Sequence, residues 1–318
     1  MATYLGSNKV IFNTLEETVS PILHSILTKT ITSYSNSNVT QVPSYAFANC
    51  NNLSYVNFQN CSAIRESAFR SCSSLTSVVI PNCSTISMSA FYSCIKLLSV
   101  NFSVCSIIST NAFAYCSSLQ TISFPTCRTI GTNAFYACSN LIEASFPNCS
   151  IIGNYAFQDC TSLTIVSFPA CTSIGQSTFR SCYALSSITS SMFSSCVSIG
   201  LSAFAFCSTL RTVVFPKCTS IYGYAFYGCK SLTAATFHVC TMISSYAFGN
   251  CYNLKQLRFQ SITSVPTLVN SNAFNSTPIG GYSASAGQYG SIYVPSSLYT
   301  SFRNATNWSF FASRVVSF

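Results

Sequence analysis

Residues 130–172 read IGTNAFYACSNLIEASFPNCSIIGNYAFQDCTSLTIVSFPACT, and the second half restates the landmarks of the first. The shared unit is Ile-Gly-x-x-Ala-Phe-x-x-Cys-x-x-Leu-x-x-Val-x-Phe-Pro-x-Cys-x-x, 22 residues with two cysteines. Outward from this stretch the first phenylalanine recurs at 47, 69, 91, 113, 135, 157, 179, 204, 226, 248 and 274. The leucine recurs from 53 to 254. Nineteen cysteines run from Cys50 to Cys251 in steps of 11, broken once by a step of 14 from Cys182 to Cys196. The apolar positions of Leu-x-x-Val-x-Phe end in period-two alternation and predict a short strand, whereas Gly or Ser followed by Ala-Phe-x-x-Cys predicts a compact turn or short helix. Each unit is therefore one strand and one return. A single unit buries too few side chains to stand alone, so each Phe, Leu and Ile is expected to pack on its equivalent one turn away, with both ends capped.

A period of 20 to 29 residues marks a leucine-rich-repeat solenoid. Units such as IGNYAFQDCTSLTIVSFPAC (152–171) and SIYGYAFYGCKSLTAATFHVC (220–240) resemble the BspA-type, or Treponema pallidum type, leucine-rich repeats, over about residues 44–270. The expected fold is a right-handed α/β-type coil with short parallel strands on the concave face and turns or short helices on the convex face. Its expected parts are an N-terminal cap or attachment segment (1–40), about eleven turns (41–275), and a C-terminal loop, strand and capping helix (276–318). The N-terminal part shows alternating apolar positions in TYLGSNKVIF and a short helix around Leu15 to Leu27. In the C-terminal part Pro295 opens a helix whose Leu298, Phe302, Ala305 and Phe311 share a face. The three extra residues in SSITSSMFSSC (186–196) move the Phe-Pro position to Phe193-Ser194, predicting a bulge or bend in the sheet.

The resemblance implies a cell-surface adhesin that binds host proteins or other cells. Together with the tail IYVPSSLYTSFRNATNWSFF (292–311), the cysteine-rich repeats are also similar to tail-fibre proteins of phages of gut Firmicutes. That alternative implies a virion component that attaches to the bacterial surface and forms a homo-oligomer. No export signal is read in the first twenty residues, so a cell-surface, extracellular or virion location rests on resemblance. No apolar run is long enough for a membrane span.

Apolar residues make up 49% of the chain and charged ones 6%, which excludes disorder. The net charge of +9 comes from scattered single lysines and arginines, without the clustering that nucleic-acid binding requires. Acid/base catalysis needs titratable pairs. Only Glu16, Glu17, Glu66, Glu143, Asp159, His24 and His238 are present, and of the carboxylates only Glu143 and Asp159 could meet on adjacent turns. No enzyme is expected. The cysteines form no C-x-x-C pair and have no histidine in phase, so no metal or other cofactor is expected. They read as buried reduced thiols serving as small core residues.

What remains is surface. Outward strand positions supply Tyr55, Arg211, Lys255 and Arg258 as candidate ligand-binding residues. Tyrosines gather in the return segments, giving Tyr92, Tyr136, Tyr155, Tyr224, Tyr227 and Tyr246. Tyr offers a large contact area at low entropy cost among adaptable Ser and Asn. The expected activity is recognition of a host or bacterial surface protein or glycan.

Overall fold

In the computed structural model, Leu-x-x-Val-x-Phe forms the strand that its alternation predicts. In Tyr55–Asn57 the central Val56 is buried, Tyr55 exposed and Asn57 half-buried; Gln256–Phe259 buries Leu257 and Phe259 in the same way. Backbone is described for 2–5 and 9–12, and residues 30–281 and 289–318 are described in full. They divide into two units, Met1–Cys149 with Ala156–Ile165, and Ser150–Tyr155 with Val166–Phe318. The fold is a parallel-strand β-solenoid of about 13 turns with little helix.

Turns of the first unit pair in parallel through a continuous ladder of short strands and an interrupted ladder of longer ones. Ser33–Ser35, Tyr55–Asn57 and Ser77–Val79 form one ladder of longer strands. Gln41–Val42, Ala63–Ile64, Thr85–Ile86, Ile107–Ile108 and Thr129–Ile130 form a second ladder of two-residue strands, with the Ile or Val buried. This second ladder departs from the expected one strand per turn. A two-residue strand is too short to leave an alternation in sequence, and the recurring Ile is its only trace.

The second unit repeats the scheme. Its long ladder runs from Ser187–Ile188 through Thr212–Phe215, Ala234–Phe237, Gln256–Phe259 and Ser291–Val294 to Val315–Ser317. The ladder begins in the turn with the three extra residues. There Thr189, Ser190 and Ser191 are exposed while Phe193 is buried. Phe193 stacks 5.7 Å from Phe168 and lies 5.8 Å from Phe215, so the Phe-Pro position keeps its place in the core.

Of the two expected forms for the return, turns are observed. In 131–138 the N–H groups of Ala134, Tyr136 and Cys138 reach back three residues, to Gly131, Asn133 and Phe135, at 3.1 to 3.3 Å. Phe135 and Ala137 instead donate to the next turn, to Ala156 and Gln158, both at 2.8 Å. Backbone donors that a helix would spend internally thus join one turn to the next. The third residue of two of these turns is left-handed, Asn133 at φ 54° and Ala137 at φ 56°, as type II turns require. The same two positions recur as Tyr, Ser, Asn, Asp, Ala or Phe, each at a cost of about 1–2 kcal/mol relative to right-handed backbone. Gly131 has a different reason for being glycine: an added Cβ would sit 2.6 Å from the Ser109 carbonyl carbon.

Two columns of phenylalanine fill the interior. In the first unit Phe47, Phe69, Phe91, Phe113, Phe135 and Phe157 stack at 5.1 to 5.3 Å with planes within 8°. Phe102, Phe124 and Phe146 form a parallel column and meet the first at about 6 Å, tilted or edge-on. In the second unit the columns close on Trp308, which is buried, donates its Nε1–H to the Pro266 carbonyl (2.7 Å), and packs against Phe259, Phe274 and Phe302.

At the ends, Ala2–Leu5 and Lys9–Phe12 make an antiparallel pair; the helix expected around 15–27 lies outside the described residues. The C-terminal helix is broken into Ser296–Leu298, Tyr299–Asn304 and Trp308–Arg314, with Asn307 left-handed at φ 64°. Phe302 and Phe311 are still buried as expected, while Leu298 and Ala305 are half-buried. The break turns Trp308 inward.

Candidate recognition surface

In the first unit the residues just after the core phenylalanine build a row of rings. Tyr92 and Tyr136 follow it directly, and Tyr115 stands one residue later, on the left-handed position (φ 63°). Tyr115 bridges the other two edge-on, 5.3 Å from Tyr92 and 5.2 Å from Tyr136. The Arg70 guanidinium lies 4.9 Å from the Tyr92 ring centroid at one end. At the other end partial burial, and then the Asp159 carboxylate, raise the Tyr136 phenol above its ordinary value. Large and small residues trade places along the row: Arg70-Ser71, Tyr92-Ser93, Ala114-Tyr115, Tyr136-Ala137. Neighbouring turns lie about 4.8 Å apart, too close for bulky groups at both positions of every turn, so the rings zigzag.

The second unit repeats the device. Arg180 lies 4.8 Å from the Phe206 ring, and Phe206 meets Tyr227 edge-on at 5.6 Å. Tyr227 contacts Tyr224, which stacks on Tyr246 at 5.1 Å, and the Tyr227 hydroxyl accepts from Asn250 Nδ2. Gly228, left-handed at φ 69°, leaves the space for this packing, since a Cβ there would lie 2.9 Å from Phe206 Cδ1. Tyr115 is 42% and Tyr224 40% exposed, while Tyr92, Tyr136, Tyr227 and Tyr246 are half-buried. These side chains are wet on one side and fixed by ring contacts on the other.

On the long-strand side, Tyr55, Arg211 and Lys255 are exposed and Arg258 half-buried. Arg211 and Lys255 share a column: Thr233 N–H donates to the Arg211 carbonyl (2.8 Å) and Lys255 N–H to that of Thr233 (3.0 Å). The Arg258 guanidinium lies 4.7 Å from the Tyr293 ring centroid and 5.2 Å from that of Phe318. The sequence candidates thus separate into a first-unit row (Tyr92, Tyr136), a second-unit cluster (Tyr224, Tyr227, Tyr246) and a basic column (Arg211, Lys255, with Arg258 nearby). Tyr55 and Tyr155 lie outside these groups. Sequence reasoning counts Tyr115 among the return-segment tyrosines without choosing it as a binding residue, and does not single out Phe206, Arg70, Arg180 or Tyr293. The trade between large and small at adjacent positions was the signal for the first two.

All nineteen cysteines are buried and none is joined in a disulfide. The thiol after Ala-Phe donates across the turn, as Cys138 Sγ does to the Phe113 carbonyl (3.2 Å) and Cys229 Sγ to that of Phe204 (3.1 Å). The Phe113 carbonyl also accepts the Cys116 N–H at 3.2 Å, so the thiol occupies its second lone pair. The thiol after Phe-Pro donates two residues ahead within its own turn, as Cys105 does to Ile107 and Cys218 to Ser220. Burial pushes the Cys105 and Cys196 thiols up to about 12, so they stay protonated and lack the nucleophilic thiolate. Glu143 stands exposed on the strand Glu143–Ser145, whereas Asp159 sits in the return, accepting from Gln158. Adjacent turns therefore do not join the two carboxylates. Among the described residues no group of three His, Cys, Asp or Glu is placed to hold a metal ion, and no helix is long and apolar enough to cross a membrane.

The BspA type leucine rich repeat region matches residues 14–107, 85–192 and 172–287, in six copies. The chain belongs to the BspA-type leucine-rich-repeat family. Among solved structures this BspA-type chain is similar to a leucine-rich repeat protein from Bacteroides ovatus, at 21% identity over 91% of this chain and 84% of the other, with a TM-score of 0.54. It is also similar to a leucine rich cell surface protein from Faecalibacterium prausnitzii, at 23% identity over 74% and 80% of the two chains with a TM-score of 0.41. A third is the T. pallidum leucine-rich repeat protein, at 24% identity over 58% and 77% with a TM-score of 0.44. No curated protein matches the sequence.

Proposed function

We propose that this BspA-type chain is a non-enzymatic recognition protein that binds a protein or glycan on a host or bacterial surface. Its binding positions are the return-side aromatics Tyr92, Tyr136, Tyr155, Tyr224, Tyr227 and Tyr246 and the strand-side Tyr55, Arg211, Lys255 and Arg258. The observation that carries this is the row Tyr92–Tyr115–Tyr136, half-wet rings held at 5.2 to 5.3 Å by one another. Rings already fixed before contact lose little further entropy on binding. Residues 41–275 serve as the display region, with 1–40 and 276–318 flanking it as caps. Display at a cell surface follows from this role.

The test immobilises the whole chain and measures retention of bacterial and epithelial cells. Retention that falls severalfold for Tyr92→Ser combined with Tyr115→Ser, with the melting temperature unchanged, supports the proposal. Absence of retention on both cell types counts against it.

A further inference from the structure

All five carboxylates lie at or before Asp159, and residues 160–318 contain no Asp or Glu against eight Lys and Arg. The second unit, Ser150–Tyr155 with Val166–Phe318, is thus cationic and has no acidic side chain of its own. Its most constrained cation is Arg258. The residue sits on the inner strand Gln256–Phe259, in register with Thr236 on one neighbour and Tyr293 on the other. It is half-buried, with the rings of Tyr293 and Phe318 at 4.7 and 5.2 Å from its guanidinium. Ring contacts offset the cost of the buried charge but take none of the in-plane N–H donors, and among the described residues no oxygen accepts from them. A guanidinium held flat with its fork vacant suits a bidentate oxyanion.

The surrounding surface extends this along the stacking direction. Lys255 and Arg211 are exposed in one column two turns apart, roughly 10 Å at about 4.8 Å per turn. Lys230, on the intervening turn, is exposed as well. Thr233 stands between the two cations, and Thr212, Ala234 and Gln256 line the next column, with no large apolar anchor among them. Charges laid in a line among hydroxyl and amide groups match a chain of sugars bearing periodic anions better than a protein epitope, which centres on buried aromatic anchors.

We propose that the strand side of the second unit binds an anionic polysaccharide, with Arg258 taking a sulfate or carboxylate group and Lys255 and Arg211 following the polymer. This rests on the recognition role above and names the ligand class for one part of it.

The test uses the full chain and measures binding to heparin, which carries sulfate, to hyaluronan, which carries only carboxylate, to neutral dextran, and to duplex DNA. Heparin is expected to bind more weakly as salt rises, with neutral dextran silent. Binding of hyaluronan as well makes carboxylate sufficient, and heparin alone makes sulfate the recognised group. Arg258→Gln is expected to weaken heparin binding about tenfold or more, as loss of a charge-assisted bond implies. Should that variant fold poorly, Arg211→Gln with Lys255→Gln, both exposed, carries the same expectation. Lys96→Gln, an equal loss of charge on an exposed lysine of the first unit, is expected to stay within twofold. The proposal is overturned if Lys96→Gln weakens binding as much as Lys255→Gln alone, if DNA binds as tightly as heparin, or if neither polysaccharide binds. Cells retained by a protein that ignores both polysaccharides would remove this inference and leave the broader recognition role standing.

Discussion

Replacing Phe135 by Ala tests the packing on which every other statement depends. Phe135 is fully buried. It stacks on Phe113 at 5.3 Å and Phe157 at 5.1 Å, and meets Phe124 and Phe146 at 6.1 and 6.0 Å. A buried Phe→Ala change costs about 3–5 kcal/mol, and aromatic pairs add about 0.5–1.5 kcal/mol each beyond burial. The neighbours cannot collapse into the gap, because Phe113 N–H is bonded to the Ala134 carbonyl at 2.7 Å and Phe135 N–H to that of Ala156 at 2.8 Å. The upper end, about 5 kcal/mol, is therefore expected. In a stack whose turns touch only their neighbours, the loss is local. Amide exchange around residues 113–157 should accelerate by about four thousandfold, at about 1.4 kcal/mol per factor of ten. Amides near Phe226, whose N–H is bonded to Ala247, should change by less than tenfold. A destabilisation below about 1 kcal/mol, or acceleration spread evenly over the chain, would refute both the packing and its locality.

Three other outcomes are expected. Because burial raises the Cys105, Cys196 and Cys240 thiols from 9.0 to about 12, the folded chain keeps protons that the unfolded chain releases. Their stabilisation is whole below pH 9 and disappears between 9 and 12, so the urea midpoint should drop from pH 8 to pH 10.5; an unchanged midpoint would exclude buried thiols. Gly228→Ala adds a Cβ 2.9 Å from Phe206 Cδ1 at left-handed backbone, and should lower stability by about 1–3 kcal/mol. Part of that loss should return in the double change with Phe206→Ala, which a double-mutant cycle by chemical denaturation checks. Trp308→Phe strands the Pro266 carbonyl at a cost of about 1–3 kcal/mol, and the native Trp308 emission should be blue-shifted and move to the red on unfolding.

The interior was legible because a 22-residue period assigns each side chain a phase. Phe47, Leu53, Val56 and Cys61 in one turn, and their equivalents in the others, are buried as their phase predicts. Three things were hidden. The two-residue strands such as Thr129–Ile130 are too short for periodicity to register. Left-handed backbone at Ala137, Phe206 or Tyr115 contradicts local preference and is sustained only by hydrogen bonds to the adjacent turn. The C-terminal helix looked continuous because Phe302 and Phe311 fit one face, yet Asn307 turns left-handed to send Trp308 inward. Of the candidate surface, phase found the tyrosines, but not their linkage through Tyr115, because that depends on side-chain volume at two adjacent positions.

The outlying loop Thr189–Ser191 shows what this construction permits. Phe193 regains its place beside Phe168 although the chain has taken three extra steps to reach it. The scaffold counts landmarks rather than residues, and whatever lies between two landmarks at that corner is extruded into water. Peptides of other lengths and compositions could be exchanged there while the layers above and below remain in register, so the corner gives lineage and engineer alike a site for new specificity.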